Sequence, residues 1–253
     1  MRDATGQPDR DRTGVGSAGT QLTPSTPLGI NSAERYRALR RANDEEARRC
    51  GRDPAAITLV GIGKGQPNDT IAAAIGAGLT DLGESYLQEA RRKFEALPPV
   101  RKHFVGHLQT NKAKAVALAF DVVQSVDRER AAVALSNAAL DAGKELPVLL
   151  QLNISPVERF GCPPALARKL AETLREQPGL RLEGVMAIGP LTADRDEILR
   201  AFELAAKTLA LIGGSTLSIG MSGDWREAVQ VGSTMLRVGE ALFGPRSAKE
   251  VTR

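Results

Sequence analysis

Short apolar runs alternate with amphipathic stretches along most of the chain. The runs at 57–63, 81–83, 103–105, 122–125, 148–153, 182–187, 216–218 and 235–238 have the length and boundaries of strands buried on both faces. Between them, apolar residues recur at helical spacing over 70–77, 86–96, 112–119, 128–142, 164–176, 195–212 and 225–231. Ahead of the first run, Asn31-Ser32 forms a helix cap, followed by Tyr36, Leu39 and Ala42 on one face of a helix running to about Arg49. Strands separated by helices predict a parallel sheet, and eight of them predict closure into a single-domain (β/α)8 barrel. The second and seventh runs are short. A doubly wound open sheet is the alternative, but no GxGxxG opens a helix after a strand.

Residues 1–29 are rich in Gly, Thr, Ser, Pro and Asp without apolar periodicity, a composition expected to stay disordered. The domain expected from this pattern spans 30–247, with a short tail at 248–253. A chain of 253 residues, 42% hydrophobic and 25% charged, suits one large α/β domain. Aromatic residues make up only 4%, which leaves the core to Ala, Leu, Val and Ile and argues against a base-stacking surface. The net charge of +4 is mild. Arg40-Arg41, Arg48-Arg49 and Arg91-Arg92-Lys93 fall within helical patterns among acids, as solvated helix faces do, so no nucleic-acid partner is expected. Cys50 and Cys162 lie far apart, and His103 and His107 lack the glutamate of HExxH, so no metal site is expected. No apolar run is long enough to span a membrane and no signal peptide opens the chain, so a cytoplasmic protein with reduced thiols is expected.

The chemistry of such a barrel gathers on the loops after its strands. The first strand ends in Lys64, whose amine can become nucleophilic there; any strand meeting water could also end in lysine. The later strands would deliver Gly83-Glu84-Ser85, His107 and Gln109, Ser125 and Asp127, Gln151 and Asn153, and Met186. The seventh brings Ser218, Met221 and Ser222, and the eighth Arg237, Gly239 and Glu240. In the seventh loop, Ser222 and Asp224 are candidate caps, with Glu227 three residues beyond Asp224. Glycines beside helix starts can cradle an anion or simply turn the chain. A carbonyl-reactive lysine, a phosphate cradle and Arg237 together suit pyridoxal 5'-phosphate (PLP), without excluding a Schiff-base aldolase acting on a sugar phosphate.

The run Leu59-Val60-Gly61-Ile62-Gly63-Lys64-Gly65-Gln66-Pro67 resembles the lysine motif of the YggS-type pyridoxal phosphate homeostasis proteins, whose barrel is that of the alanine racemase N-terminal domain. Gly83-Glu84-Ser85-Tyr86-Leu87-Gln88-Glu89, His103-Phe104-Val105-Gly106-His107-Leu108-Gln109-Thr110-Asn111-Lys112 and Gln124-Ser125-Val126-Asp127 resemble the same family. So do Gln151-Leu152-Asn153-Ile154, Gly184-Val185-Met186-Ala187-Ile188, Ser218-Ile219-Gly220-Met221-Ser222-Gly223-Asp224, Gly232-Ser233-Thr234-Met235-Leu236-Arg237-Val238-Gly239 and Leu242-Phe243-Gly244-Pro245-Arg246. The ordered series covers about 31–246.

The resemblance implies a PLP fold type III barrel in intracellular PLP homeostasis or carriage, with the cofactor held as a Schiff base on Lys64. It also implies Arg237 facing the pyridine nitrogen and the phosphate resting on Ser222, Gly239 and the Glu240 backbone, near Ser218 and Met221. By the same resemblance the protein is a monomer serving PLP-dependent apo-enzymes, without robust catalysis. The alternatives are a weak amino-acid racemase, for which His107 or Tyr86 would be the base, and an interaction protein. The chain departs from the family at two positions. Ser85 stands where asparagine is usual, shortening the reach to the cofactor's ring hydroxyl, and Arg159 stands where lysine is frequent, keeping charge without a second amine.

Overall fold

Asn31 opens the first helix with a capping box: its side chain accepts from the Glu34 N–H at 2.9 Å, and the Glu34 carboxylate accepts from the Asn31 N–H at 3.2 Å. From there the chain, seen in a computed structural model that describes residues 31–157 and 159–245, closes eight parallel strands into a barrel in sequence order. The elements are α1 (Ser32–Arg49), β1 (Thr58–Ile62), α2 (Asn68–Gly76), β2 (Asp81–Glu84), α3 (Leu87–Ala96) and β3 (Arg101–Phe104). They continue as α4 (Ala113–Ala119), β4 (Val122–Val126), α5 (Glu129–Asp141), β5 (Leu146–Leu152), α6 (Ala167–Arg175) and β6 (Leu180–Ala187). The last are α7 (Arg195–Ile212), β7 (Thr216–Ser218), α8 (Trp225–Val231), β8 (Met235–Val238) and α9 (Glu240–Phe243). The tails expected at 1–29 and 248–253, the outer barrel limits at 30 and 247, Glu158 and Arg246 lie outside the described residues.

Every expected strand is present; β2, β4 and β8 are buried throughout, while β1, β3, β5, β6 and β7 keep at least one partly exposed residue. Strands β5 and β6 each begin two residues earlier than their apolar runs, because Leu146 and Pro147 pair with Leu180 and Arg181. Two helical patterns open as short 3-10 turns, Thr110–Lys112 and Pro164–Leu166, the second beginning at a proline suited to a first turn. Helix α9 begins where Gly239-Glu240 marks a helix start after the eighth strand, though its four residues are too few to display a helical period.

Closure brings β8 beside β1, with Val60 opposite Asp81 on one side and Arg237 on the other. Helix α1 packs against α2, α8 and α9, covering this seam from outside. Just beyond α1, Arg52 donates to the carbonyls of Val229 at 2.8 Å and Ser233 at 2.7 Å, tying the beginning of the barrel to its end.

Candidate functional site

Lys64 stands two residues past β1, between Gly63 and Gly65, the latter at φ +70°. Its Nζ donates to Tyr86 Oη at 3.1 Å and lies 4.5 Å from that ring's centroid. Both flanking residues are tied to one ion cluster. Lys93 Nζ donates to the Gly63 carbonyl, to Glu84 Oε1 at 2.7 Å and to Glu89 Oε1 at 2.6 Å, and Glu89 also accepts from the Gly65 N–H at 2.7 Å. Glu89 and Lys93 are one turn apart on α3, so the helix sets their pairing.

This cluster corrects two expectations. Lys93 is buried rather than part of a solvated face, and Glu84 is fully buried against α3 rather than offered at the rim. Burial pushes the Glu84 carboxyl up to about 7 despite the opposing Lys93 charge. Burial also raises the Glu89 carboxyl, but its bonds from Lys93 and Gly65 outweigh that and hold it below the usual range.

On the other side of β1, the Arg237 guanidinium is buried. Nη1 donates to the Ser218 carbonyl at 2.6 Å and Oγ at 2.7 Å, and Nη2 donates to the Ala187 carbonyl at 2.8 Å. Burial lowers its pKa to about 10, opposed by the Asp224 carboxylate, so it remains a cation at neutral pH. The loop after β7 turns at Gly220, where φ is +94° and an added Cβ would lie 2.5 Å from the Ala228 Cβ, leaving no place for a side chain. Asp224 does not cap α8 with its side chain as expected. Its Oδ1 accepts from the Met221 N–H at 2.5 Å and so folds this loop back on itself, while Glu227 pairs with Arg195 at 3.1 Å. Ser222 Oγ accepts from the Ala241 N–H at 3.1 Å, which joins the loop after β7 to the start of α9 and leaves the hydroxyl proton to donate elsewhere. Gly239 precedes α9; a Cβ placed on it would make only ordinary contacts, at 3.5 Å to the Ile62 carbonyl oxygen and 3.7 Å to the Ile62 Cβ, and one on Gly223 would meet nothing within 4 Å. Glu240 is exposed.

Ser85, just past β2, is half-buried beside Gly106. Two clefts open nearby, one of about 720 Å³ lined by Ser85, Tyr86, Glu89 and His107, the other of about 530 Å³ lined by His107, Gln151, Asn153, Arg159 and Phe160. Between them His107 stacks on Phe160 with centroids 3.8 Å apart. Arg159 leans toward the Gly189 carbonyl at 3.5 Å. Closure therefore places Ser218, Arg237 with Gly239, Lys64 and Ser85 on four consecutive strand ends, β7, β8, β1 and β2. The Lys93 cluster under Lys64 was missed by sequence reasoning; the Glu89–Lys93 spacing was its one visible sign.

Comparison with known proteins decides the lineage of this site. Residues 35–247 match the family described as the alanine racemase N-terminal domain. The chain belongs to that family. The pyridoxal phosphate homeostasis protein of Pseudomonas aeruginosa is 41% identical over 207 residues, covering 80% of this chain and 90% of that one. Its Escherichia coli K12 counterpart is 40% identical over 214 residues, 79% of this chain and 90% of that one. Among solved structures, PipY of Synechococcus elongatus with PLP bound aligns with a TM-score of 0.75 at 31% identity, covering 85% of this chain and all of that one. That alignment makes the fold of PipY similar to the closed barrel described above.

Proposed function

We propose that the chain is a PLP-binding protein of intracellular PLP homeostasis, with Lys64 as the covalent anchor. The observation that carries the reading is the contiguous arc of Ser218, Arg237, Gly239, Lys64 and Ser85 across the seam where β8 meets β1. Bound PLP supplies an aldehyde, a phosphate and a pyridine nitrogen. The residues present fit all three. Lys64 offers the amine at the mouth, and the open space above Gly223 leaves room for a phosphate. Ser222 has a hydroxyl proton to donate, and the Gly239 and Glu240 backbone opens α9 beside it, with Met221 on the same loop. Arg237 is the candidate for the ring nitrogen, and Ser85 for the ring hydroxyl at shorter reach than asparagine.

Arginine can only donate a hydrogen bond, so it favours an unprotonated ring nitrogen and a weak electron sink. That supports holding PLP over turning substrates over with it. For a racemase, Tyr86 is hydrogen-bonded to Lys64 itself and His107 is stacked against Phe160, so neither stands poised as an independent base opposite the lysine. We take the barrel at 30–247 as one functional domain, cytoplasmic and monomeric, passing PLP to apo-enzymes. Among the described residues no helix is long and apolar enough to cross a membrane.

The test is an absorption spectrum of purified protein before and after adding PLP. A visible band is expected in the wild type and lost in Lys64→Ala; a wild type that develops no band overturns the reading.

A further inference from the structure

Behind Arg237 a chain of hydrogen bonds crosses the barrel interior. Ser218 Oγ, which accepts from Arg237 Nη1, donates to Gln124 Oε1 at 2.7 Å. Gln124 Nε2 lies 2.9 Å from His103 Nδ1 and 3.2 Å from Met235 Sδ, and His103 Nε2 lies 2.8 Å from Asp81 Oδ1. Asp81 Oδ2 accepts from Thr80 Oγ1 at 2.7 Å. Ser218, Gln124 and His103 are fully buried, and Asp81 nearly so.

The donor and acceptor inventory allows one polarity. The Gln124 amide nitrogen faces two acceptors, the Met235 sulfur and His103 Nδ1, while its oxygen faces the Ser218 hydroxyl. His103 Nδ1 therefore carries no proton, and the imidazole proton sits on Nε2 and is donated to Asp81. Every bond then points the same way, from the Arg237 cation through Ser218, Gln124 and His103 to the Asp81 carboxylate. Aligned bonds between opposite charges in a buried interior reinforce one another. Burial raises the Asp81 carboxyl, but the His103 and Thr80 hydrogen bonds outweigh it and keep the group below the usual carboxylate range.

We propose that Gln124 and His103 are positioning residues which, through Ser218, hold the Arg237 guanidinium in one donating orientation toward the bound ligand. Three of the five guanidinium N–H groups are committed to Ser218 and Ala187. The direction of the remaining two depends on Ser218 Oγ staying an acceptor. With its proton given to Gln124 Oε1, the Ser218 oxygen turns a lone pair to Arg237 Nη1, an arrangement matched by an unprotonated His103 Nδ1. The role toward PLP rests on the PLP-binding reading; the polarity of the chain does not.

The experiment has two arms. In protein without PLP, the nitrogen-15 spectrum of labelled histidine reports the tautomer of His103, one of only two histidines, with His107→Asn providing the assignment. A neutral His103 protonated on Nε2 is expected. In Gln124→Glu, an isosteric change, the introduced carboxylate has no proton to give, and His103 is expected to gain one on Nδ1. In the second arm, PLP titration of Gln124→Glu and Gln124→Leu is expected to show affinity weakened about tenfold and a displaced absorption band. A merely structural role would lower the melting temperature without moving the band. If Gln124→Leu does not fold, the wild-type tautomer and Gln124→Glu decide. An Nδ1-protonated or doubly protonated His103 in the wild type overturns the proposal, as do folded variants with wild-type affinity and band. A wild type that takes up no PLP instead overturns the PLP-binding reading.

Discussion

Lys64 owes its setting to a neighbour that sequence patterning assigns to the surface. Lys93 sits in a run of basic residues, yet its amine is buried among Glu84, Glu89 and the Gly63 carbonyl. One cation shared by two carboxylates leaves them unequal: Glu89 is also stabilised by the Gly65 N–H, while Glu84 Oε2 is buried without a partner among the described residues. The Glu84 carboxyl is pushed up from an ordinary value of 4.5 to about 7. The folded chain therefore holds a proton that the unfolded chain has lost between those values. The stability Glu84 contributes is full below pH 4.5 and is lost as pH rises through about 7. Glu84→Gln removes that titration. Urea unfolding of both proteins across this range is expected to show wild-type stability falling relative to the variant by roughly 3 kcal/mol as pH rises. Glu89, with its carboxyl held low, contributes in the opposite sense: its share is present above pH 4.5 and lost as pH falls below it. It is common to both proteins, so the difference isolates Glu84. A constant difference across the range would contradict the assignment.

Among elements, strand and helix existence was legible because both periods are written in side-chain alternation. Helix α7 and strands β7 and β8 fall at the expected residues. What escaped were features with no period: the 3-10 turns, the extent of the four-residue α9 and the Asp224 side chain folding back on the Met221 N–H. Close backbone approaches escaped for the same reason. At Gly106 a Cβ would overlap the Ser85 carbonyl, so this glycine lets the end of β3 lie against the loop after β2. Gly106→Ala must displace that loop. It is expected to cost about 1–3 kcal/mol and to weaken PLP binding. Thermal unfolding with a parallel PLP titration checks both. Unchanged stability and affinity would mean that the two loops move apart without penalty.

At the scale of the whole molecule, the site exists because the barrel closes. Lys64 follows the first strand and Arg237 lies on the last, and only the pairing of β1 with β8 brings those two strands side by side. Arg52 and α1 guard that seam from outside. Arg52→Ala removes a half-buried cation's two bonds to the carbonyls of Val229 and Ser233. It is expected to destabilise the protein by about 1.5–3 kcal/mol while leaving the PLP affinity of the folded protein unchanged. Denaturant unfolding and a PLP titration separate the two effects. A loss of affinity without a loss of stability would place Arg52 in the binding machinery instead.

The sequence by itself determined the eight-fold alternation, the barrel it implies and the family to which the motif series belongs. These are local properties, carried by side-chain period and short motifs that need no knowledge of distant contacts. The tertiary structure alone decided that Glu84 and Lys93 lie beneath the Lys64 loop, that Ser222 reaches Ala241, and that Ser218, Gln124, His103 and Asp81 line up behind Arg237. Each of these depends on which strands and loops closure brings side by side and on the direction of individual hydrogen bonds. Neither leaves a periodic trace along the chain.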